Sequence, residues 1–204
     1  MTRPTIVVAT ANPHKLAEIR AILGDVEVDV VSMADFGLPS PVEDGATFAE
    51  NARIKARACV TATGLAAIAD DSGLEVDALA GAPGVYSARY AGEPSDDAAN
   101  NAKLLAELAD VGDAERTARF VCAAVLVTAD GDEEGVRGVM EGRIARAPRG
   151  DAGFGYDPLF ISDAADGRTN GELAPAEKDA ISHRGAAFRA LRAMLTPDRV
   201  SSRR

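Results

Sequence analysis

Apolar residues along this chain fall into short runs that end abruptly in polar clusters, and the period within each run tells which element it builds. The first run, TIVVAT at residues 5–10, is short and continuous, as a buried strand is. Asn12 and Pro13 then supply a helix cap and a first helical position, and Leu16, Ile19 and Leu23 recur at helical spacing. A second apolar run, VEVDVVSM, precedes the loop PSPVEDGA. Thr47 and Glu50 next form the two ends of a capping box, which opens a helix running to about Thr63 with Phe48, Ala52, Ala56 and Cys59 on its buried face. LAAIA at 65–69 reads as a buried strand, and Asp70, Asp71, Ser72 and Gly73 read as the strand-to-turn junction that ends it. Residues 95–110 read as a helix with an acidic cap. Residues 117–129 and 135–146 read as two long strands joined by the turn-rich DGDEE. A short strand PLFI, a polar loop and a last helix follow, the helix capped by Ser182 and packed through Phe188, Leu191 and Leu195. Early alternation of helix and strand with a later ribbon predicts an α/β protein with a mixed sheet. No stretch is long enough to be a linker, so residues 1–197 are expected to form a single domain and 198–204 a flexible tail.

Composition narrows the partners. A chain of 204 residues buries about 70% of its unfolded surface and needs no disulfide scaffold. Its two cysteines, Cys59 and Cys122, sit in apolar contexts and read as small buried hydrophobes. The first apolar run is too short for a secretory leader or a membrane span, which makes a cytoplasmic protein the expectation. A net charge of -10 argues against broad binding to nucleic acid or to an anionic membrane, so any phosphate site is local. Among 22 basic residues only four are lysines, Lys15, Lys55, Lys103 and Lys178, each a compact charge that a planar guanidinium does not replace.

Phosphate-loop, dinucleotide, paired-cysteine and zinc-helix motifs are all absent, and two histidines, His14 and His183, exclude a histidine-rich metal site. What remains is a set of polar clusters at the ends of apolar elements, where α/β sheets place their ligands. Residues 10–15, TANPHK, run from a strand into a helix and are either an anion site built from backbone N–H groups and Lys15 or an ordinary capped turn. Asn51 and Lys55, four apart, share one side of their helix. Glu43, Asp70 and Asp71 are hard oxygen donors, a set that favours Mg²⁺ or Mn²⁺ over zinc. The loop GDAGFGYDPLF places Phe154 and Tyr156 among glycines. Phe154 reads as a stacking face for a base, and Tyr156 as either that or a hydrophobic plug. His183 and Arg184 lie on the first turn of the last helix, where cations oppose the helix dipole unless an anion or an acceptor-rich base compensates.

Together these segments resemble the noncanonical purine nucleoside triphosphate pyrophosphatases of the inosine/xanthosine triphosphate type. The resemblance runs through VVATANPHKLAEI, TFAENARIKARA, ADDSGLEVDALAGAPGVYSARYAG, RFVCA, APRGDAGFGYDPLF and AEKDAISHRGAA. It implies an elongated mixed β-sheet flanked by helices, in two lobes with a central nucleotide-binding cleft, assembled as a homodimer. It also implies Mg²⁺-dependent hydrolysis of ITP, dITP and XTP to the monophosphate and pyrophosphate, which keeps these nucleotides out of DNA and RNA. By resemblance, Thr10, Ala11, Asn12, Pro13, His14 and Lys15 hold the triphosphate with Lys55. Asp71 acts as general base and, with Glu43, as metal ligand, with Lys15 assisting catalysis, while Ser72 contacts substrate. Phe154, Gly155, Tyr156, Asp157, Lys178, His183 and Arg184 surround the nucleotide. His14 departs from the glycine that many members carry before the lysine. Two other readings fit less of the sequence: a septum-inhibition type pyrophosphatase preferring pyrimidine or modified nucleotides, and a nucleotide-binding module without catalysis.

Overall fold

The computed structural model describes residues 3–24 and 26–201. Six strands form one mixed sheet in the order β2-β1-β3-β4-β5-β6: β1 (Thr5–Val8), β2 (Asp29–Ser32), β3 (Ala66–Val76), β4 (Thr117–Val127), β5 (Glu133–Ile144) and β6 (Phe160–Ser162). β1 pairs in parallel with β2 and with β3, whereas β6 runs antiparallel to β5. Parallel neighbours need a crossover, and the helices α1 (Pro13–Leu23) and α2 (Phe48–Thr63) lie in the two connections. Four more helices follow, α3 (Asp97–Glu107), α4 (Pro175–Ile181), α5 (His183–Arg192) and α6 (Pro197–Val200).

The chain divides into two compact units, one made of Met1–Asp71, Cys122–Gly138 and Arg184–Arg204, the other of Ser72–Val121 and Val139–His183. In the first unit, alternation along the strands sorts side chains to two faces. Ile6, Val8, Ala66, Ile68, Cys122, Ala124 and Leu126 join Ile19 and Leu23 of α1 and Phe188 and Leu191 of α5 in one core cluster. Val7, Ala9, Ala67, Ala69, Val125 and Val127 join Ala52, Ala56 and Cys59 of α2 in another. The second unit has its own core, in which Leu104 and Leu108 pack on Leu74, Val76, Phe120, Met140, Ile144 and Phe160.

Three expectations change. The predicted break at Asp70 does not occur, because β3 continues through ADDSGLEV as one strand of eleven residues. Asp and Gly are poor strand formers on their own, but both carboxylates meet cations held by other elements, and those contacts override local preference. The polar loop before the last helix contains α4, opened by Pro175 at its first position and Glu177 two residues on. Residues 198–200, expected in the tail, belong to α6, because Val200 is an apolar anchor, 3% exposed, in the α1–α5 core. Residues 202–204 of that expected tail lie outside the described residues.

Candidate active site

Consecutive strand residues point to opposite faces, so Asp70 and Asp71 are delivered to different helices. Asp70 shares its face with Ala66 and Ile68, the face covered by α1 and α5. Its carboxylate lies 3.4 Å from Lys15 Nζ and 3.3 Å from Arg184 Nη2. Arg184 also donates to Glu18, one turn beyond Lys15 on α1. Burial opposes ionisation of Asp70, yet Lys15, Arg184 and Lys55 outweigh it and hold its carboxyl well below the usual carboxylate range.

Asp71 shares its face with Ala67 and Ala69, the face covered by α2. Asn51 Nδ2 donates to Asp71 Oδ2 at 3.1 Å, and Lys55 Nζ lies 3.4 Å from Asp71 Oδ1 and 2.8 Å from Glu43 Oε2. Burial works against the charge on Lys55, but Asp71, Asp70 and Glu43 outweigh it and raise its pKa. One ammonium thus sits between two carboxylates from different segments. Among the described residues no three His, Cys, Asp or Glu side chains converge on a ready-made metal position. The hard pair of Glu43 and Asp71 nonetheless suits Mg²⁺, which takes one or two protein carboxylates and completes its shell with water and phosphate oxygens.

At the mouth of α1, Asn12 Oδ1 accepts from the backbone N–H groups of His14 and Lys15, and Asn12 N donates to Thr10 Oγ1. The capped-turn geometry is therefore real, and it occupies two of the amides that an anion would use. Ala11, Pro13 and His14 are exposed beside it, with Lys15 partly so. The charge available to a phosphate here is the Lys15 ammonium.

The second unit gathers the other predicted residues. Asp157, 3% exposed, receives the Phe154 N–H at 2.9 Å, Lys178 Nζ at 2.7 Å and Asn170 Nδ2 at 3.2 Å. The loop closes so tightly that a Cβ at Gly153, whose φ is +79°, would lie 2.1 Å from Asp157 Oδ2. Lys178 Nζ stands 4.9 Å from the centre of the Phe154 ring, a cation–π contact. The neighbouring Gly155 N–H donates to Asp97 on α3. His183 stacks on Phe120 with ring centres 4.8 Å apart.

A family model describing the Ham1 family matches residues 6–194 of the chain. This chain belongs to the Ham1 family. Among its relatives, the dITP/XTP pyrophosphatase of Mycolicibacterium paratuberculosis is 55% identical over 190 residues, covering 91% of this chain and 93% of that one. The corresponding protein of Lactiplantibacillus plantarum is 54% identical over 193 residues, covering 94% and 95%. The solved structure of a HAM1 protein from Coxiella burnetii superposes with a TM-score of 0.86 at 46% identity, covering 94% of this chain and 98% of that one.

Within this Ham1-family chain, two predicted residues sit differently from their expected use. Tyr156 is 4% exposed with its hydroxyl donating to the Ser87 carbonyl, so it is the plug of the two readings, and burial pushes its phenol up. Arg184 is 2% exposed and committed to Asp70 and Glu18. Ser72 is half-buried on β3. Sequence reasoning pairs Asn51 with Lys55 without assigning it a role, and it singles out neither Glu18 nor Asn170. Helical spacing from Lys55 and Lys15 signals the first two, and Asn170, at the start of the short 3₁₀ turn Asn170–Glu172, carries no local signal of its contact with Asp157.

Proposed function

We propose that this protein hydrolyses noncanonical purine nucleoside triphosphates, ITP, dITP and XTP, to the monophosphate and pyrophosphate, clearing them before they enter DNA or RNA. The observation that carries the reading is the Glu43–Lys55–Asp71 arrangement, a carboxylate pair with its own ammonium, in a chain more than half identical to proteins named dITP/XTP pyrophosphatase. The family match and those names speak against a pyrimidine-preferring or purely binding role.

Asp71 and Glu43 would hold Mg²⁺, which when bound neutralises phosphate charge and favours departure of pyrophosphate. Asp71 orients a water whose oxygen attacks the α-phosphorus. The new P–O bond forms as the bond to the β-phosphate oxygen breaks, and the water's proton passes to the Asp71 carboxylate and on to solvent. Lys15 and Lys55 balance the charge on the triphosphate. Phe154 offers its face to the base. Lys178, bonded to Asp157 and lying over the Phe154 ring, is proposed to read the 6-keto oxygen together with His183. A 6-amino group would oppose donor with donor, which at a dry polar site discriminates by about 10⁴ or more.

Asp71→Asn is expected to lower turnover of ITP by about 10²–10⁴-fold, the usual contribution of a positioned base, with an unchanged circular-dichroism spectrum. Near-normal pyrophosphate release by that variant, or equal rates on ITP, XTP, GTP and ATP, overturns the proposal. We further propose a homodimer working in the cytoplasm. No described helix is long and apolar enough to cross a membrane, and light scattering that returns the monomer mass of 21.1 kDa refutes the dimer.

A further inference from the structure

Residues 38–45 have no regular secondary structure, yet Glu43 in this stretch must keep a fixed distance from Asp71 on β3 if the two are to share one cation. Three residues of the first turns of α2 take hold of the segment. Glu50 Oε2 accepts from the N–H groups of Ala46 and Thr47, Lys55 bonds Glu43, and Asn51 Oδ1 accepts from Gly45 N–H at 2.8 Å. Of the three, Asn51 differs in being 2% exposed and in spending both ends of its amide, since its Nδ2 donates to Asp71 Oδ2.

The orientation of that amide is dictated by its neighbours. A backbone N–H needs an acceptor and a carboxylate oxygen needs a donor, so the oxygen faces Gly45 and the nitrogen faces Asp71. The fit at the loop is close: a Cβ on Gly45 would stand 2.7 Å from Asn51 Oδ1 and 2.7 Å from Glu50 Cβ. Position 45 therefore requires glycine if the backbone is to reach the amide. Lys55 bridges the same two segments, but through a flexible stem and an ammonium that substrate phosphates also attract. Asn51 is the short, neutral, buried link.

We propose that Asn51 is a positioning residue that sets the Glu43-bearing loop against Asp71, so that the two carboxylates are presented at the separation a divalent cation needs. The inference rests on the reading of Glu43 and Asp71 as the metal-binding pair. Because Asn51 acts through Gly45 and Asp71, its loss is expected in metal affinity and turnover and not in nucleotide affinity.

The test compares Asn51→Leu, which keeps the volume and loses both hydrogen bonds, with Thr47→Ala, which loosens the same helix start without touching Asp71. Partners that orient metal ligands affect metal affinity or activity by about 10–100-fold. In Asn51→Leu, the Mg²⁺ concentration for half-maximal ITP turnover is expected to rise by about that factor. Its kcat should fall, its KM for ITP should stay within about twofold, and Mn²⁺ binding to the nucleotide-free protein, read by electron paramagnetic resonance, should weaken in parallel. Thr47→Ala should lower the unfolding midpoint and leave the metal requirement where it was. Asn51→Ala takes the place of Asn51→Leu if the latter does not fold. A folded Asn51 variant with the wild-type metal requirement and kcat overturns the positioning role while leaving the proposed activity standing. A metal requirement that rises equally in Thr47→Ala reduces Asn51 to a structural part of the helix start. Failure of the functional reading itself shows separately, as full activity in Asp71→Asn.

Discussion

Two adjacent residues of the same chemical type, Asp70 and Asp71, end in different surroundings because one strand step reverses the side chain. Asp70 is fully enclosed between Lys15 and Arg184. Removing one member of a buried ion pair leaves the others uncompensated and costs about 3–5 kcal/mol, so Asp70→Asn is expected to destabilise the fold by that order in urea unfolding, unlike Asp71→Asn. The sign of its pH dependence follows from a depressed native pKa. The stabilisation is complete above the unfolded carboxyl value of ~4 and is lost as pH falls below it. The stability gap between the wild type and Asp70→Asn should therefore narrow in acid, and a gap that widens would contradict the pairing. Both cysteines are buried and unpaired. Burial pushes the Cys59 thiol up to about 11, and burial with Asp70 nearby pushes Cys122 up as well. A thiol reagent at neutral pH should label neither in the native protein and both in guanidinium. The sequence displayed the two aspartates plainly. It did not display their separate duties, which depend on which helix covers which face.

At the level of elements, α2 was legible from end to end, since the Thr47–Glu50 capping box and Gly64, with φ +68°, mark its limits in local chemistry alone. β3 was legible only in its apolar half. Its polar half is held by charges from α1, α2 and α5, and no local pattern reports those. The edge pairing of β5 with β6 depends on Gly142, where a Cβ would lie 2.1 Å from the Ile161 carbonyl oxygen. Gly142→Ala should force the two strands apart, so amide hydrogen exchange should speed up across residues 160–162 while the α2 amides stay protected. Unchanged protection of β6 would show that the backbone there has room.

For the molecule as a whole, β3, β4 and β5 each begin in one compact unit and end in the other. Neither unit can be cut out without truncating three strands. Urea unfolding should therefore be a single transition, with secondary-structure and tyrosine signals coincident. Two separated transitions would show independent domains. The strand order that creates this arrangement was not readable from the sequence beyond a mixed sheet, because pairing between distant strands is settled by packing and not by any one segment.

The lysine held between Glu43 and Asp71 has one more consequence. It lets the chain fold and persist with no cation bound, since like charges that would otherwise repel already have a resident counter-ion. Lys55→Met should lower the melting temperature measured in chelator and make it climb more steeply with added Mg²⁺ than that of the wild type, whose resident ammonium already offsets the two carboxylates.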